Sequence, residues 1–275
     1  MSTMISLSGE MSPLSMEQMR EKCPYAFRES PTNPGVSGKY VHANTMTVIN
    51  DMMKLGWYPV EAKQCRQRKG SKGIRSFHII ALQNDDVKIY DMDGGTEAYV
   101  RIILQNSHDG FNSFKFMMGC YRVICSNGLI LADAEFESFT IRHINYTFEE
   151  LKRVVNEVVG RVPYVINRMN AMNRTRLNEV QMRELAASAF EIRGGRKENV
   201  RPEMLDEMLV PLRDEDKGDS LWKVFNVLQE KMMRGGYSVV NDKGRSRKAR
   251  AIKSIKKDLE YNQRLWEVAE AYVTA

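Results

Sequence analysis

The sequence contains no long apolar run and no set of paired cysteines. No stretch of 18 or more apolar residues occurs in its 275 residues, so we expect no transmembrane helix and no membrane partner. The first ten residues lack the basic segment and apolar core of a secretory signal. The four cysteines show no disulfide framework, which favours a reducing compartment. A cytoplasmic protein is therefore expected.

The sequence also lacks the motifs of common enzymes and cofactor-binding proteins. It has no GxSxG or SxxK nucleophile motif, no GxxxxGK[ST] or GxGxxG nucleotide motif, and no CxxC or histidine pair at metal spacing. The histidines are scattered at His42, His78, His108 and His143, and we expect His108, in a turn, to be the most accessible. We therefore predict no enzymatic activity, no cofactor and no metal.

One acidic cluster keeps a metal-dependent activity open as an alternative. Its members are Asp85, Asp86, Asp91 and Asp93. Paired aspartates can hold Mg²⁺ for phosphoryl chemistry. Aspartate and glycine are, however, also typical of ordinary turns for backbone reasons. A metal-dependent nuclease is accordingly a secondary hypothesis.

Positive charge is concentrated in two parts of the chain. The net charge is +6, yet residues 63–75 contain six basic and no acidic residues, and residues 217–257 contain twelve basic against three acidic residues. The rest of the chain therefore carries a net −9. Lysine and arginine clustered among glycine and serine are typical of loops that contact phosphates, although a solvated surface has a similar composition.

The N-terminal half has the pattern of a helix followed by an antiparallel meander. Residues 1–36, rich in Met, Ser and Pro, predict an irregular arm, and residues 42–56 a helix capped by Asn44 or Thr45. Strands are predicted at 76–83, 99–105, 113–125 and 139–144, with a bulge at Gly119-Cys120. The short connections favour antiparallel pairing.

The C-terminal half changes to helical periodicity after residue 145. Thr147 begins a capping box, and further helices are predicted at 178–192, 202–209, 219–234 (capped by Asp219) and 248–273. The predicted fold class is α+β: an antiparallel β-meander with an N-terminal helix, followed by a helical C-terminal half. The predicted domains are an arm (1–36), a sheet-containing core (37–145), and a helical region (146–275) with a basic loop at 236–250.

The basic residues predict a groove for nucleic acid. One side is the first basic segment (63–75) and the other is the second basic segment (243–250), with Arg122 between them and Tyr237 as the aromatic expected to be free for base stacking. The loop 236–250 would act as a flexible phosphate clamp. The remaining predicted nucleic-acid-binding residues are Lys63, Arg66, Arg68, Lys69, Lys72, Arg75, Lys243, Arg245, Arg247, Lys248 and Arg250.

Residues 118–129 (MGCYRVICSNGL) carry a resemblance to a known family. The segment Arg-x-x-Cys-x-Asn-Gly-Leu at 122–129 resembles the hallmark of a phage- and plasmid-borne family known as domain of unknown function 932. The turn at Asp109-Gly110, the segment LWKVFNVL at 221–228 and the region around Trp266 are similar to further landmarks of that family. The resemblance implies a mobile-element origin and a bacterial host cytoplasm, but no activity.

The main functional hypothesis is a phage protein that binds nucleic acid. Single-stranded DNA is favoured, with plain binding or annealing in replication or recombination, because a small sheet, a helix and a basic groove are similar at the level of architecture to single-strand annealing proteins of the Red-beta kind. A homo-oligomer is a possible consequence. The alternative is a protein-interaction module that modulates a host factor, suggested by the Met-rich N-terminus and the 18 methionines.

Overall fold

The computed structural model describes residues 12–36, 42–65, 75–90, 96–112, 114–122, 128–131, 147–240 and 244–274. The chain divides into two units, Met1–Val162 and Pro163–Ala275, here called unit 1 and unit 2. Each unit is described by itself. Unit 1 holds the large sheet, and unit 2 is mainly helical with one small hairpin.

Unit 1 is built on a five-stranded antiparallel sheet whose strands follow one another in chain order. The meander predicted from short connections is therefore confirmed, and so is the α+β class. The strands are β1 (Tyr58–Gln64), β2 (His78–Tyr90), β3 (Thr96–Asn106), β4 (Lys115–Arg122) and β5 (Gly128–Leu131). The strand predicted at 139–144 lies outside the described residues.

The bulge predicted at Gly119-Cys120 is wrong. The pairing of β3 with β4 runs without a shift from Ala98 opposite Arg122 to Gln105 opposite Lys115. Gly119 lies directly opposite Arg101, so the two share one face of the sheet. Because glycine has no side chain, it leaves room on that face for the Arg101 side chain. The register shifts occur elsewhere, for example beside Pro59 in β1, which has no N–H for the ladder.

Helices cover the sheet of unit 1 and begin earlier in the chain than expected. Helix α1 (Met16–Lys22) and a 3₁₀ turn (Pro24–Phe27) occupy part of the predicted irregular arm, so that expectation is wrong for these residues. Ser15 and Gln18 form a capping box, a Ser-x-x-Gln signal that is legible in the sequence. Helix α2 (Thr45–Lys54) is capped by Asn44, as predicted, and buries Val48, Ile49 and Met52. Helix α3 (Phe148–Gly160) begins after Thr147.

Unit 2 contains the other helices of the described chain: α4 (Val162–Arg174, which starts at the boundary), α5 (Glu179–Ile192), α6 (Pro202–Leu209), α7 (Leu221–Arg234) and α8 (Ile255–Thr274). A short 3₁₀ turn follows α5 at Lys197–Asn199. Helix α7 is capped by Ser220 rather than by Asp219, which pairs with Arg176 instead. None of the described helices has the length and apolar character needed to cross a bilayer.

The core of unit 2 is an aromatic cluster between α7 and α8. The rings of Trp222 and Phe225 stack with centroids 5.8 Å apart, and Phe225 meets Trp266 edge-to-face at 5.8 Å. All three side chains are buried. This packing fixes α7 and α8, and the small hairpin of unit 2 lies between these two helices in the chain.

Candidate nucleic-acid interface

The basic loop 236–250 is a β-hairpin rather than an irregular clamp. Strand β6 (Ser238–Val240) pairs antiparallel with β7 (Ser246–Lys248), and residues 241–243 lie outside the described residues. Helix α8 consequently starts at Ile255 and not at 248 as predicted, because residues 246–248 are engaged in the hairpin.

Gly235 and Ala249 fix the base of this hairpin. The Gly236 N–H donates to the Ala249 carbonyl at 2.9 Å, and the Ala249 N–H donates to the Tyr237 carbonyl at 2.8 Å. Gly235 has φ +74°, and a Cβ at this position would lie 2.4 Å from the Ala249 carbonyl oxygen. Only glycine fits such a close backbone approach. Gly235 therefore has a structural role, because it lets the chain turn from α7 into the hairpin while packing against Ala249.

A cavity of about 500 Å³ lies between the hairpin and the loop that follows α5. Five basic residues line it: Arg193, Arg196, Arg247, Lys248 and Arg250. No aspartate or glutamate is present among its described lining residues. The structure thus brings three predicted site residues of the second basic segment together with Arg193 and Arg196, which were not predicted.

Arg193 joins the two walls of the cavity. Its Nη1 donates to the Tyr237 hydroxyl at 3.2 Å, and its Nη2 donates to the Arg250 carbonyl oxygen. A guanidinium has five N–H donors in a fixed plane, so it can hold both partners and still present donors elsewhere. Arg193 therefore positions the hairpin without losing its charge.

The expectation that Tyr237 is free for base stacking is wrong. Its side chain is only 2% exposed, and its ring lies 5.7 Å from the Arg193 guanidinium carbon. Burial raises the pKa of the Tyr237 hydroxyl above its ordinary value, and the Arg193 charge opposes this shift only in part. The residue beside two glycines is at the base of a hairpin rather than at its tip, so it packs inward.

Lys248 is held by an acidic neighbour. Its Nζ lies 3.0 and 3.2 Å from the two Glu207 carboxylate oxygens and 2.9 Å from the Ser238 hydroxyl. Hydrogen bonds from the Ser238 backbone N–H, and then from Lys248, hold the pKa of Glu207 below its usual value. Lys248 is therefore charge-compensated and ties β7 to α6.

Arg247 and Arg250 are exposed cations of the cavity wall. No ion pair joins either of them to a carboxylate within the described parts of unit 2. Arg245 is also exposed but does not line the cavity. Lys243 lies outside the described residues.

The first basic segment belongs to unit 1 and is described at its two ends. Lys63 on β1 pairs with Glu61 at 2.5 Å, and the Arg75 guanidinium carbon lies 4.8 Å from the centre of the Phe111 ring. Phe111 is 56% exposed. Arg66, Arg68, Lys69 and Lys72 lie outside the described residues, and Arg122 is placed by its backbone at the end of β4. The groove joining the two basic segments remains a prediction, since they lie in different units.

A buried histidine cluster adjoins the first basic segment and was missed by sequence reasoning. The rings of His42 and His108 have centroids 4.4 Å apart, and those of His78 and His108 are 5.1 Å apart. His108 is completely buried, so the expectation that it is the most accessible histidine is wrong. The strand register brings the neighbours together, because position 78 pairs with both 64 and 106.

The hydrogen bonds of His78 define where its ring carries a proton. His78 Nδ1 lies 2.7 Å from the Ser76 carbonyl, which only accepts, so Nδ1 carries the proton. His78 Nε2 then accepts from the Thr45 hydroxyl at 2.9 Å, while the Asn106 amide donates to the same Thr45 oxygen. Burial lowers the pKa of His78 to about 4. His78 is therefore a neutral structural residue.

Asp109 closes the turn beside the histidine cluster. Its carboxylate accepts from the Ser76 N–H at 2.9 Å, the Ser107 hydroxyl at 2.8 Å and the Phe111 N–H at 2.9 Å. This arrangement fixes Phe111 next to Arg75. The bond to the Ser76 N–H also fixes the chain between the first basic segment and the start of β2.

The described residues contain no group of three histidine, cysteine, aspartate or glutamate side chains arranged to hold a metal ion. Of the acidic cluster, Asp85 accepts from the Gln83 amide at 2.8 Å, and Asp86 is exposed. Asp91 and Asp93 lie outside the described residues. Among the described residues, the acidic cluster therefore forms no set of metal ligands.

Comparison with known proteins places the chain in a family. Residues 35–266 match the model described as "Domain of unknown function (DUF932)", which covers most of the chain. The chain belongs to the DUF932 family. Two curated relatives from Escherichia coli (strain K12), UPF0380 protein YafZ and UPF0380 protein YfjQ, are each 28% identical over 262 residues, which is 95% of this chain and 92% of each relative. No solved structure matches the chain.

The landmarks that carried the DUF932 resemblance occupy defined elements. The segment at 122–129 runs from the end of β4 to the start of β5, which pair with each other. The second landmark is α7, in which the Asn226 side chain donates to the Trp222 carbonyl at 2.6 Å. Residues 123–127 of the first landmark lie outside the described residues, whereas the Asn226 side chain of the second is used within its own helix.

Proposed function

We propose that this DUF932 protein binds nucleic acid, with single-stranded DNA as the favoured ligand. The observation that carries the proposal is the cavity of unit 2, whose described lining contains four arginines and a lysine and no acidic residue. Arginine presents planar, bidentate donors to phosphate oxygens, and clustered cations gain affinity by releasing counterions from the nucleic acid.

An exposed aromatic beside the first basic segment supports the preference for single strands. Single-strand binders combine cations along the backbone with aromatic faces on which bases stack. Phe111 has this position, because it is largely exposed, is fixed by the Asp109 turn and has Arg75 over its ring. It takes the role that the sequence had suggested for Tyr237.

The finer parts of the proposal rest on sequence alone. Action in the cytoplasm of a bacterial host, on the DNA of a phage or other mobile element, follows from the resemblance at 122–129. Annealing during replication or recombination, with a homo-oligomer as the working form, extends the same proposal.

The class of ligand is tested by fluorescence anisotropy with labelled single-stranded DNA, duplex DNA and RNA of the same sequence. At about 50 mM salt we expect binding of all three, with single-stranded DNA tightest. The Phe111→Ala variant is expected to weaken single-strand binding by about 1–3 kcal/mol for the lost stack, and duplex binding much less. The absence of binding to every nucleic acid at this salt concentration overturns the proposal.

A further inference from the structure

We propose that the cavity of unit 2 holds a single nucleotide, with its phosphate against the arginines. The inference rests on the proposed function and deepens it, because it assigns a ligand unit to one site. The nucleotide is either the phosphate-bearing end of a strand or a free nucleotide. Both sources present the same chemistry to the cavity.

The size of the cavity argues for a ligand larger than a phosphate ion. Its volume of about 500 Å³ is within the range of pockets that enclose small organic ligands. A surface that only follows a phosphate backbone needs cations along an open face and no concave pocket. A nucleotide supplies both the anion and the bulk.

The lining has two chemical characters, as a nucleotide does. Besides the basic residues, it includes the apolar side chains of Val239, Val240, Ala251 and Ile252. These four side chains are partly or fully exposed, so they offer apolar area to a base or sugar. Pockets that combine an apolar lining with a few placed charges are typical of small-molecule sites.

Arg193 is held in place before any ligand binds. Its guanidinium, which carries five N–H donors, donates to the Tyr237 hydroxyl and to the Arg250 carbonyl. The loop that carries Arg193 packs tightly, since a Cβ on Gly195 would lie 2.3 Å from the Phe190 ring. An arginine fixed in this way avoids the entropic cost of ordering its long side chain on binding.

Arg247 is the residue to change, and Arg264 on α8 provides the control. Both are exposed arginines of unit 2, but only Arg247 lines the cavity. The Arg247→Gln variant removes one charge-assisted contact and is expected to weaken nucleotide binding by about 10- to 100-fold. The Arg264→Gln variant removes the same charge away from the cavity and is expected to change nucleotide binding by less than about threefold.

The experiment measures binding of matched oligonucleotides that end in a 5′-phosphate, a 3′-phosphate or only hydroxyls, and of a nucleoside monophosphate and triphosphate by calorimetry. Tighter binding of one phosphate-ended strand, displaced by the nucleotides and lost in Arg247→Gln, identifies the strand end. Nucleotide binding lost in Arg247→Gln, with equal affinity for all strands, identifies the free nucleotide.

Two further outcomes separate this inference from the proposed function. Equal binding of all strands with no binding of nucleotides overturns the nucleotide site and leaves nucleic-acid binding standing. Binding of nucleotides with no binding of any strand supports the site and overturns nucleic-acid binding. Equal losses in Arg247→Gln and Arg264→Gln also overturn the inference, because they indicate a general charge effect.

Discussion

At the residue scale, the two glycines at the hairpin base make different demands. Gly235 combines φ +74° with a forbidden contact to the Ala249 carbonyl, whereas Gly236 has φ +92° and open space around it. We expect Gly235→Ala to cost about 3 kcal/mol or more in the free energy of unfolding, and Gly236→Ala about 1 kcal/mol from backbone strain alone. Denaturant unfolding of both variants checks this order, and equal losses would contradict it.

His78 predicts a specific pH dependence of stability. Its folded pKa of about 4 is below the unfolded value of 6.5, so folding favours the neutral form. The stability from this residue is complete above pH 6.5 and is lost as the pH falls toward 4, by about 3 kcal/mol in total.

Denaturant unfolding of the wild type and of His78→Gln at a series of pH values from 7 to 4 tests this linkage. The free energy of unfolding of the wild type should fall more steeply below pH 6.5 than that of the variant. Parallel curves would show that His78 gains no proton on unfolding.

Single residues show which positions of the cavity can be anticipated from the sequence and which cannot. Arg247 and Arg250 were predicted because they stand in a visible cluster of charge. Arg193 was missed, since it is 57 residues from its partner Arg250 in the chain and only folding brings the two together. The prediction that Tyr237 is free for base stacking was wrong, because a tyrosine beside two glycines has the same local sequence at a loop tip as at a packed hairpin base.

At the element scale, α7 is tied to the preceding loop by a buried charge network. Arg213 donates to both oxygens of Glu230 at 2.5 and 2.7 Å, and Arg234 lies 2.9 Å from the same carboxylate. The Glu230 side chain is only 3% exposed. Removing its charge leaves two guanidinium groups without their shared anion.

We expect Glu230→Gln to lower the free energy of unfolding by about 3 kcal/mol. The control is Glu260→Gln on α8, whose exposed pair with Arg264 at 3.7 Å should contribute less than about 0.5 kcal/mol. Chemical unfolding followed by circular dichroism measures both. A loss for Glu230→Gln as small as that of the control would show that the network adds no stability.

Helices with clear periodicity and flanking residues were predictable from the sequence, and the two very short strands were not. Helix α6 matches its predicted bounds, and α5 ends at the predicted Ile192 and begins one residue after the predicted start, because Asn178 is its N-cap. Strands β6 (Ser-Val-Val) and β7 (Ser-Arg-Lys) have three residues each, which is too short for a period of two to show in the sequence. Their pairing depends on Gly235 and on the packing of Tyr237.

At the scale of the whole molecule, the charge distribution carries the functional account. The sequence predicted the α+β class and the basic second segment, and the structure adds a cavity in which that segment meets Arg193 and Arg196. The relation between the two basic segments lies beyond sequence reasoning, because it depends on how separate units are arranged. The account therefore depends on unit 2 for its central claim.

The most direct test of nucleic-acid binding is the salt dependence of affinity for single-stranded DNA, measured from about 50 to about 200 mM salt. The wild type is compared with the double variant Arg247→Gln/Arg250→Gln and with Arg153→Gln/Arg264→Gln, which removes two exposed arginines paired within α3 and α8. The account predicts that log affinity falls linearly with log salt, and that the slope becomes shallower by about 1.4 only in the cavity variant. Identical slopes in all three proteins, or affinity independent of salt, would contradict it.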